Sequence, residues 1–561
     1  MVAVASRADL GTWWLRRATY FTVLAVTAIW GIRFIPWARA RWASPGQVLR
    51  EHLPEVALAV AAMGLLFLTH DWQFKVLSDE TNFVAAARSM ALEQRFDFPE
   101  GGKFFNGSQH GFDYVFDKRP PLFPFLLSLV DAFTGYRVRN VWFLNGAILG
   151  ATIVVAGSFL RRRIGRPWSL LAVVWAIANP VVFLTSSAAG VEPLLCLVWA
   201  IAGVLALDVL EAPSAQNLGL LIATVYLIGL CRLEAGPLAL VMLVAIVAAS
   251  PRRAELMGML RDDALVWAAP VAALPVLLVR AKNQDYFQGL TTRPFGLEHV
   301  AGNVSSWAKV LKDGGRFYPY SAVVTVVEVV ALVVLVGLVL FGRTAMSRAE
   351  RAAFLVFSGG TAALFALYSA YFWGQPTNPA CSRFYALPLF FAGLTVPGLL
   401  LQVRAVKARP AVAGVVSALV FLHAFASSHN RAFANAFTAR RQHHLVADYL
   451  LSRLPAAMPL VVTTVPAQFV IYDVGAVSFE HFKAHREEML RELDRKLYTE
   501  VLFVQEIDQA DGRPTAATAL PPEVTLENVM ERQHTTSGYT RISRWTRDQA
   551  VGHPRATDGG T

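Results

Sequence analysis

"LSDETNFVAAARSM", Leu77 to Met90, sets two adjacent carboxylates, Asp79 and Glu80, directly behind an apolar stretch and at the head of a short amphipathic pattern. Ser78 and Asp79 are good helix N-cap residues, and negative charge suits a first helical turn. Phe83, Val84, Ala87, Met90 and Ala91 recur at helical spacing and predict one apolar face. A cap by itself explains the pair. Whether it does more depends on where the stretch lies, which the rest of the chain decides.

The chain has 561 residues, of which 55% are hydrophobic and 16% charged, and a mean hydropathy of +0.44. Soluble domains are more polar than this, and many of the apolar runs reach about 16 to 23 residues, the length of a hydrocarbon-crossing helix. The expected class is a mainly α, polytopic membrane bundle of about 11–12 transmembrane helices, the order that its length and apolar runs allow. The net charge of +11 is concentrated in short links between apolar runs, which is the pattern of cytoplasmic loops and not of a nucleic-acid surface. Cys196, Cys231 and Cys381 lie in or beside the apolar runs and are too few for a disulfide framework.

The expected spans are 54 to 70, 138 to 160, 168 to 186, 193 to 209, 217 to 231, 235 to 250, 264 to 280, 320 to 341, 353 to 372, 384 to 402 and 411 to 428. An earlier run, Thr19 to Trp37, contains Arg33 and is followed by no small-residue cleavage site, so it reads as no signal peptide. It either spans the membrane or lies along its face. With this count the basic links "RRRIGR" (161 to 166), "SPRRAELMGMLRDD" (250 to 263), "GRTAMSRAER" (342 to 351) and "VRAVKARP" (403 to 410) share one side. The positive-inside rule makes that side the cytoplasm. Loops 71 to 137 and 282 to 319, the turn 373 to 383 and the tail from about 429 then face outside.

Three parts are expected: 1–53 as an N-terminal segment, 54–428 as the transmembrane domain with its large first loop 71–137, and 429–561 as a small extracytoplasmic α/β domain with a loose end. The tail reads as helix 440 to 453, strand 459 to 465, helix 480 to 496, strand 498 to 506 and a strand at 539 to 545. No internal repeat, phosphate loop or zinc spacing is present in the sequence.

Three polar constellations fall on the outer side. The first is Asp79 and Glu80. The second is "FDKRPPLFPFLLSLVDAFTGY" (116 to 136), in which Lys118 and Arg119 precede a Pro-Pro helix start and an apolar stretch too short to span. The third comes from span ends: "CRLEAG" supplies Arg232 and Glu234, and "CSRFYALP" supplies Arg383 and Tyr385. Each base alone reads equally as an interfacial anchor, and Arg232 with Glu234 as a structural ion pair. Together, guanidinium and ammonium groups at a membrane surface suit a phosphate, and a carboxylate nearby suits a general base or a divalent cation.

The order of these motifs, "DETNFVAAARSM", "DKRPPLFPFLLSL" and "FTGYRVRNVWFLNGAILG", resembles the GT-C superfamily of polyprenyl-phosphate-sugar glycosyltransferases. Within it the likeness is to the lipid A aminoarabinose transferase and protein O-mannosyltransferase branch. It is strong over residues 55 to 165, weaker at "CRLEAG" and "SRFYALPLFF", and slight in the tail. The resemblance implies a catalytic or acceptor-orienting carboxylate at Asp79, assisted by Glu80. It implies donor-phosphate contacts at Lys118, Arg119, Arg383 and Arg232, and substrate contacts at Tyr385, Glu234 and His110. The family pattern reads Lys-Pro where Arg119 is inserted here, which leaves open which of the two bases touches phosphate. Some members bind a divalent cation, for which Asp79, Glu80, His110, Asp113 and Asp117 could supply ligands without forming a metal signature.

The implied partners are a polyprenyl-phosphate-linked sugar, a glycolipid, cell-wall glycan or protein acceptor, and membrane lipids, at the plasma (inner) membrane. The competing class is a transporter or flippase of lipid-linked or anionic substrates, which predicts charges deep inside spans and paired broken helices. Glu328 is the clearest mid-span charge, and the two halves do not repeat.

Overall fold

The apolar runs fold as helices because a bilayer offers the backbone no water, so each segment must satisfy its own N–H and C=O groups. A computed structural model describes residues 2–41, 45–70, 72–105, 108–117, 119–264, 266, 293–313, 318, 320–403, 410–428, 438–454, 458–508, 510–533 and 538–546. Among them seven helices are long and apolar enough to cross a membrane: Trp14–Ala40, Arg50–Thr69, Asn140–Ile164, Glu192–Glu211, Ala322–Leu340, Arg348–Ser369 and Ala380–Leu400. The chain is therefore a multi-pass membrane protein.

In chain order the first elements are α1 (Val2–Arg41), α2 (Pro45–Thr69), α3 (Asp79–Glu93), β1 (Phe98–Phe105), β2 (Ser108–Val115), α4 (Leu122–Thr134) and α5 (Asn140–Ile164). They are followed by α6 (Arg166–Ala178), α7 (Pro180–Ser186), α8 (Glu192–Glu211), α9 (Ala215–Cys231), α10 (Ala235–Ala249) and α11 (Arg253–Asp262). The expected straight span at 168 to 186 is a bent pair, α6 and α7, which meet at 80°. The cause is local: Pro180 cannot continue the α6 ladder, and the Asn179 side chain accepts from the Val181 N–H and starts a new helix. The expected spans at 217 to 231 and 235 to 250 are α9 and α10, each shorter than the about 20 residues of a straight crossing. The expected span at 264 to 280 lies outside the described residues, apart from residues 264 and 266.

The doubtful first segment runs the length of the bundle. At one end the Arg16 carbonyl accepts from the Phe96 N–H of the first loop at 3.1 Å. At the other, Arg33 forms a two-pronged pair with Asp263, at 2.8 and 3.1 Å, and Trp37 Nε1 donates to Asp208 at 3.0 Å. That second end also gathers charges from the basic links, because Arg163 pairs with Glu211 at 2.7 Å and Glu350 at 3.2 Å. The links 161 to 166 and 342 to 351 thus meet.

The chain divides into two compact units. The first comprises Met1–Val76, Ala86–Phe96 and Phe116–Ala436, and holds the helical bundle. The second comprises Leu77–Ala85, Asp97–Val115 and Phe437–Thr561. It contains one seven-stranded sheet in the order β2-β1-β4-β3-β5-β7-β6, with β3 (Pro459–Val462), β4 (Gly475–Val477), β5 (Glu500–Asp508), β6 (Leu526–Gln533) and β7 (Gly538–Trp545). β3 runs parallel to β4 and β5, and the other pairings are antiparallel.

Helices Thr438–Leu451 and Phe479–Asp494 and strands β3, β5 and β7 occur where the tail's pattern places them. Two things differ. The tail has two further strands, the three-residue β4 and the polar β6, whose lengths or composition carry no alternating signal. The larger difference is that the first loop supplies β1 and β2, which join this sheet through Gly102 opposite Ala476. Gly101 makes room for that approach, since a Cβ there would meet the Phe112 ring at 2.6 Å and the Ala476 carbonyl at 3.2 Å. Lys103 of β1 then pairs with Glu488 at 3.1 Å and Glu492 at 2.8 Å, and Phe112 stacks on His481 at 4.4 Å.

Candidate functional site

Within the helical unit the chemistry gathers around the segment that follows the bend. α7 ends at Ser186, a short turn covers 187 to 191, and Glu192 opens α8 ahead of a helix-starting Pro193. Asn145 of α5 holds this turn from below, its Nδ2 donating to the carbonyls of Ala188 at 2.7 Å and Gly190 at 2.9 Å. Lys75, 8% exposed, donates to the buried Ser187 hydroxyl. Glu192 is 3% exposed and receives two guanidinium groups on one oxygen: Arg232 Nη1 at 3.3 Å and Arg383 Nε at 3.6 Å.

The expected residues Arg232, Glu234 and Arg383 are thus brought together, with the Tyr385 ring 6.1 Å from that of Tyr368 beside them, and the carboxylate that joins the two arginines was not among those expected. Arg232 follows the last turn of α9, and its guanidinium also binds Glu234 at 2.6 Å while facing the rings of Phe384 at 4.8 Å and Tyr368 at 5.6 Å. The Tyr368 hydroxyl donates to the same Glu234 oxygen at 3.3 Å. Burial works against the Glu234 charge, but the Arg232 guanidinium beside it outweighs burial and holds the carboxyl below its ordinary range. The same two carboxylates keep Arg232 protonated against its own desolvation. Arg383 faces Phe384 at 5.5 Å. Tyr385 is fully buried, and its hydroxyl donates to the Gly374 carbonyl at 2.5 Å.

The sequence signal for Glu192 was present but is easily misread. An acid directly before a proline at the head of an apolar run looks like a solvated loop residue, and only the fold shows two arginines from distant positions closing on it.

In the second constellation Asp117 and Arg119 pair with each other: the Arg119 N–H and Nη1 donate to one Asp117 oxygen at 3.0 and 2.8 Å. That is an Asx-type turn, which sets up the Pro-Pro start of α4. Lys118 lies outside the described residues. α4 has thirteen residues, about 20 Å of helix, too short for a crossing as its sequence indicates.

In the second unit Asp79 and Glu80 open α3, Asp79 half-buried and Glu80 1% exposed. Ser78 stands at φ +67°, a left-handed conformation that is costly outside glycine, so the chain turns sharply immediately before the two acids. His110 is exposed on β2, opposite Lys103 in the register, and Asp113 is on the same strand at φ +52°. Among the described residues no group of three or more His, Cys, Asp and Glu side chains is arranged to hold a metal ion.

No family model matches the chain, and no curated protein does. Among solved structures it is similar to ArnT from Cupriavidus metallidurans bound to undecaprenyl phosphate, at 14% identity and TM-score 0.45, over 88% of this chain and 98% of that one. It is also similar to the Archaeoglobus fulgidus oligosaccharyltransferase in complex with Zn and sulfate, at 13% identity and TM-score 0.45, over 80% of this chain and 68% of that one. Likeness at this level assigns no residue a role.

Proposed function

We propose that the chain is a membrane glycosyltransferase that moves a sugar from a polyprenyl-phosphate donor to an acceptor on the extracytoplasmic face of the plasma membrane. The observation that carries the reading is the pair of guanidinium groups, Arg232 and Arg383, converging on Glu192 against the rings of Tyr368 and Phe384. Arginine forks match phosphate oxygens, and a water-poor wall strengthens them.

In this reading Asp79 takes the proton of the acceptor hydroxyl or amine, and Glu80 supports it. The acceptor attacks the anomeric carbon as its bond to the phosphate oxygen breaks. The electron pair leaves with the lipid phosphate, whose growing charge is met by Lys118, Arg119 and Arg383, with Arg232 bracing the cluster. Charges aimed in advance at a leaving phosphate stabilise the transition state more than the ground state. Glu234, Tyr385 and His110 complete the substrate contacts. The acceptor is a glycolipid, cell-wall glycan or protein, and a divalent cation near the first-loop acids is compatible with this chemistry.

The test is sugar transfer in proteoliposomes supplied with a polyprenyl-phosphate sugar. Asp79→Asn is expected to abolish transfer in a folded protein, and Arg383→Ala and Lys118→Ala to raise the donor KM. Full activity in all three variants would refute the assignment.

One observation favours a second reading, a transporter of lipid-linked or anionic substrates. Glu328 is fully buried in the span Ala322–Leu340, and Asn179, at the bend between α6 and α7, donates to it at 3.0 Å. Broken helices and buried mid-span acids are what transporters use. Lipid movement across the bilayer without sugar transfer would decide for that reading.

A further inference from the structure

A stretch whose sequence reads as an outer loop contains a helix, Glu298–Asp313. Glu298 stands in its first turn and Lys312 in its last, each charge suited to its end of the helix dipole. Its 16 residues make about 24 Å of helix, too short and too charged for a crossing. What one face touches fixes its depth. Asn303 Nδ2 donates to the carbonyls of Ser369 and Tyr371, each at 2.8 Å. The Trp307 ring stands 5.1 Å from Tyr320, 5.7 Å from Phe365 and 4.8 Å from Tyr385. These partners lie where the spans Ala322–Leu340 and Ala380–Leu400 begin and where Arg348–Ser369 ends. The helix therefore rests on three span ends, at the level where hydrocarbon gives way to headgroups.

The rest of its surface divides in two. Leu297, Ala301, Val304, Ala308 and Leu311 recur at helical spacing and form one exposed apolar row, Leu297 being 86% and Val304 51% exposed. Beside that row Ser305, Lys309 and Lys312 are exposed as a polar side. Phe295 and Trp373, both exposed, extend the apolar edge, since Phe295 bridges to Tyr371 two positions from Trp373. Exposed rings at this level are the pattern of a membrane's aromatic belt. A helix between protein and water needs two faces, and this one has three. Water suits the lysines, the span ends take Asn303 and Trp307, and the apolar row needs a third medium.

We propose that the helix Glu298–Asp313 lies in the surface of the bilayer, its apolar row sunk into the boundary between headgroups and acyl chains and Lys309 and Lys312 reaching lipid phosphates. Long basic side chains flanking an apolar row do this, because the stem stays in the apolar layer while the charge reaches the headgroups. The partner is bulk phospholipid and not the donor, so the helix is a membrane contact under either reading of the function. Because Trp307 also stands against Tyr385, the leaflet braces one wall of the candidate site.

The experiment uses the full chain in lipid vesicles, spin-labelled on one introduced cysteine; Cys196, Cys231 and Cys381 are buried and leave the label to the new thiol. Electron paramagnetic resonance reads collisions with oxygen, which concentrates in hydrocarbon, and with a nickel chelate, which stays in water. The oxygen-to-nickel ratio at Val304→Cys and Leu311→Cys is expected to be on the order of tenfold higher than at Lys309→Cys. Nickel access at position 304 equal to that at 309 would place the row in water. Access of neither reagent at 304 would place it under protein, from a second copy or another part of this chain, and either result overturns the proposal. The lysines are tested in phosphatidylcholine vesicles with and without phosphatidylglycerol. With the label at 304, the anionic lipid should lower nickel access about two- to fivefold, the scale of one or two basic side chains at an anionic surface, and Lys309→Gln with Lys312→Gln should cancel the effect. No response to the anionic lipid, or an equal response in the double variant, removes the phosphate contacts from the proposal.

Discussion

Asp131, in the last turn of α4, offers a pH-dependent test of the helical unit. It is 5% exposed, and Asn140 Nδ2 donates to its Oδ1 at 2.6 Å, while Oδ2 has no hydrogen-bond partner among the described residues. Burial pushes its carboxyl up to about 6 from an ordinary value of 3.8, against the opposing pull of the Asn140 hydrogen bond, the Arg137 N–H and the Arg88 charge. Between those two pH values the folded chain holds a proton that the unfolded chain has lost. Stability from this group is therefore complete below about pH 4, falls as pH rises toward 6, and stays at the lower level above. A displacement of about two pH units corresponds to about 3 kcal/mol as a ceiling, which partial water access reduces to about 1–2 kcal/mol. Asp131→Asn keeps an oxygen for Asn140 and removes the charge. In detergent micelles, unfolding followed by tryptophan fluorescence should show the variant more stable than wild type at pH 7.5, by that amount, with the gap closing at pH 4. A gap of equal size at both pH values, or a variant less stable at pH 7.5, would refute the reasoning.

Two further outcomes follow from named contacts. Glu328→Gln should keep the bundle intact, because it still accepts from Asn179. Glu328→Leu should cost about 1–3 kcal/mol in the same unfolding assay, by leaving a buried amide hydrogen without its partner. In the second unit, Lys103→Met removes the ion pairs to Glu488 and Glu492, and cleavage within 98 to 115 by limited proteolysis should accelerate roughly two- to fivefold, as partly exposed pairs contribute about 0.2–1 kcal/mol. The Lys103 hydrogen bond and charge hold the Glu488 carboxyl below its ordinary range. Wild type should therefore show the same gain in cleavage as pH falls through the carboxylate range, and Lys103→Met should show none.

The amino-acid order alone determined what short-range physics controls. Apolar run length gave a membrane-crossing helical bundle, Asp79 and Glu80 open a helix, Pro120 and Pro121 precede one, and the alternating pattern of the tail gave three strands and two helices of its α/β unit. Arg232, Glu234, Arg383 and Tyr385 were legible as polar residues at apolar ends, where a lone charge needs a reason. Tertiary structure decided the rest. Glu192 becomes part of a site only when α8, α9 and the turn around 383 are packed, since its partners lie 40 and 191 positions away. β1 and β2 look like a membrane-side loop until β4, more than 350 residues later, gives their backbone an edge to pair with. The bend between α6 and α7 lies inside a run that reads from its hydropathy as one span, 168 to 186, and its 80° angle emerges only in the fold, at the Asn179 cap and Pro180. Local sequence fixes which groups need partners, and only the fold brings those partners within reach.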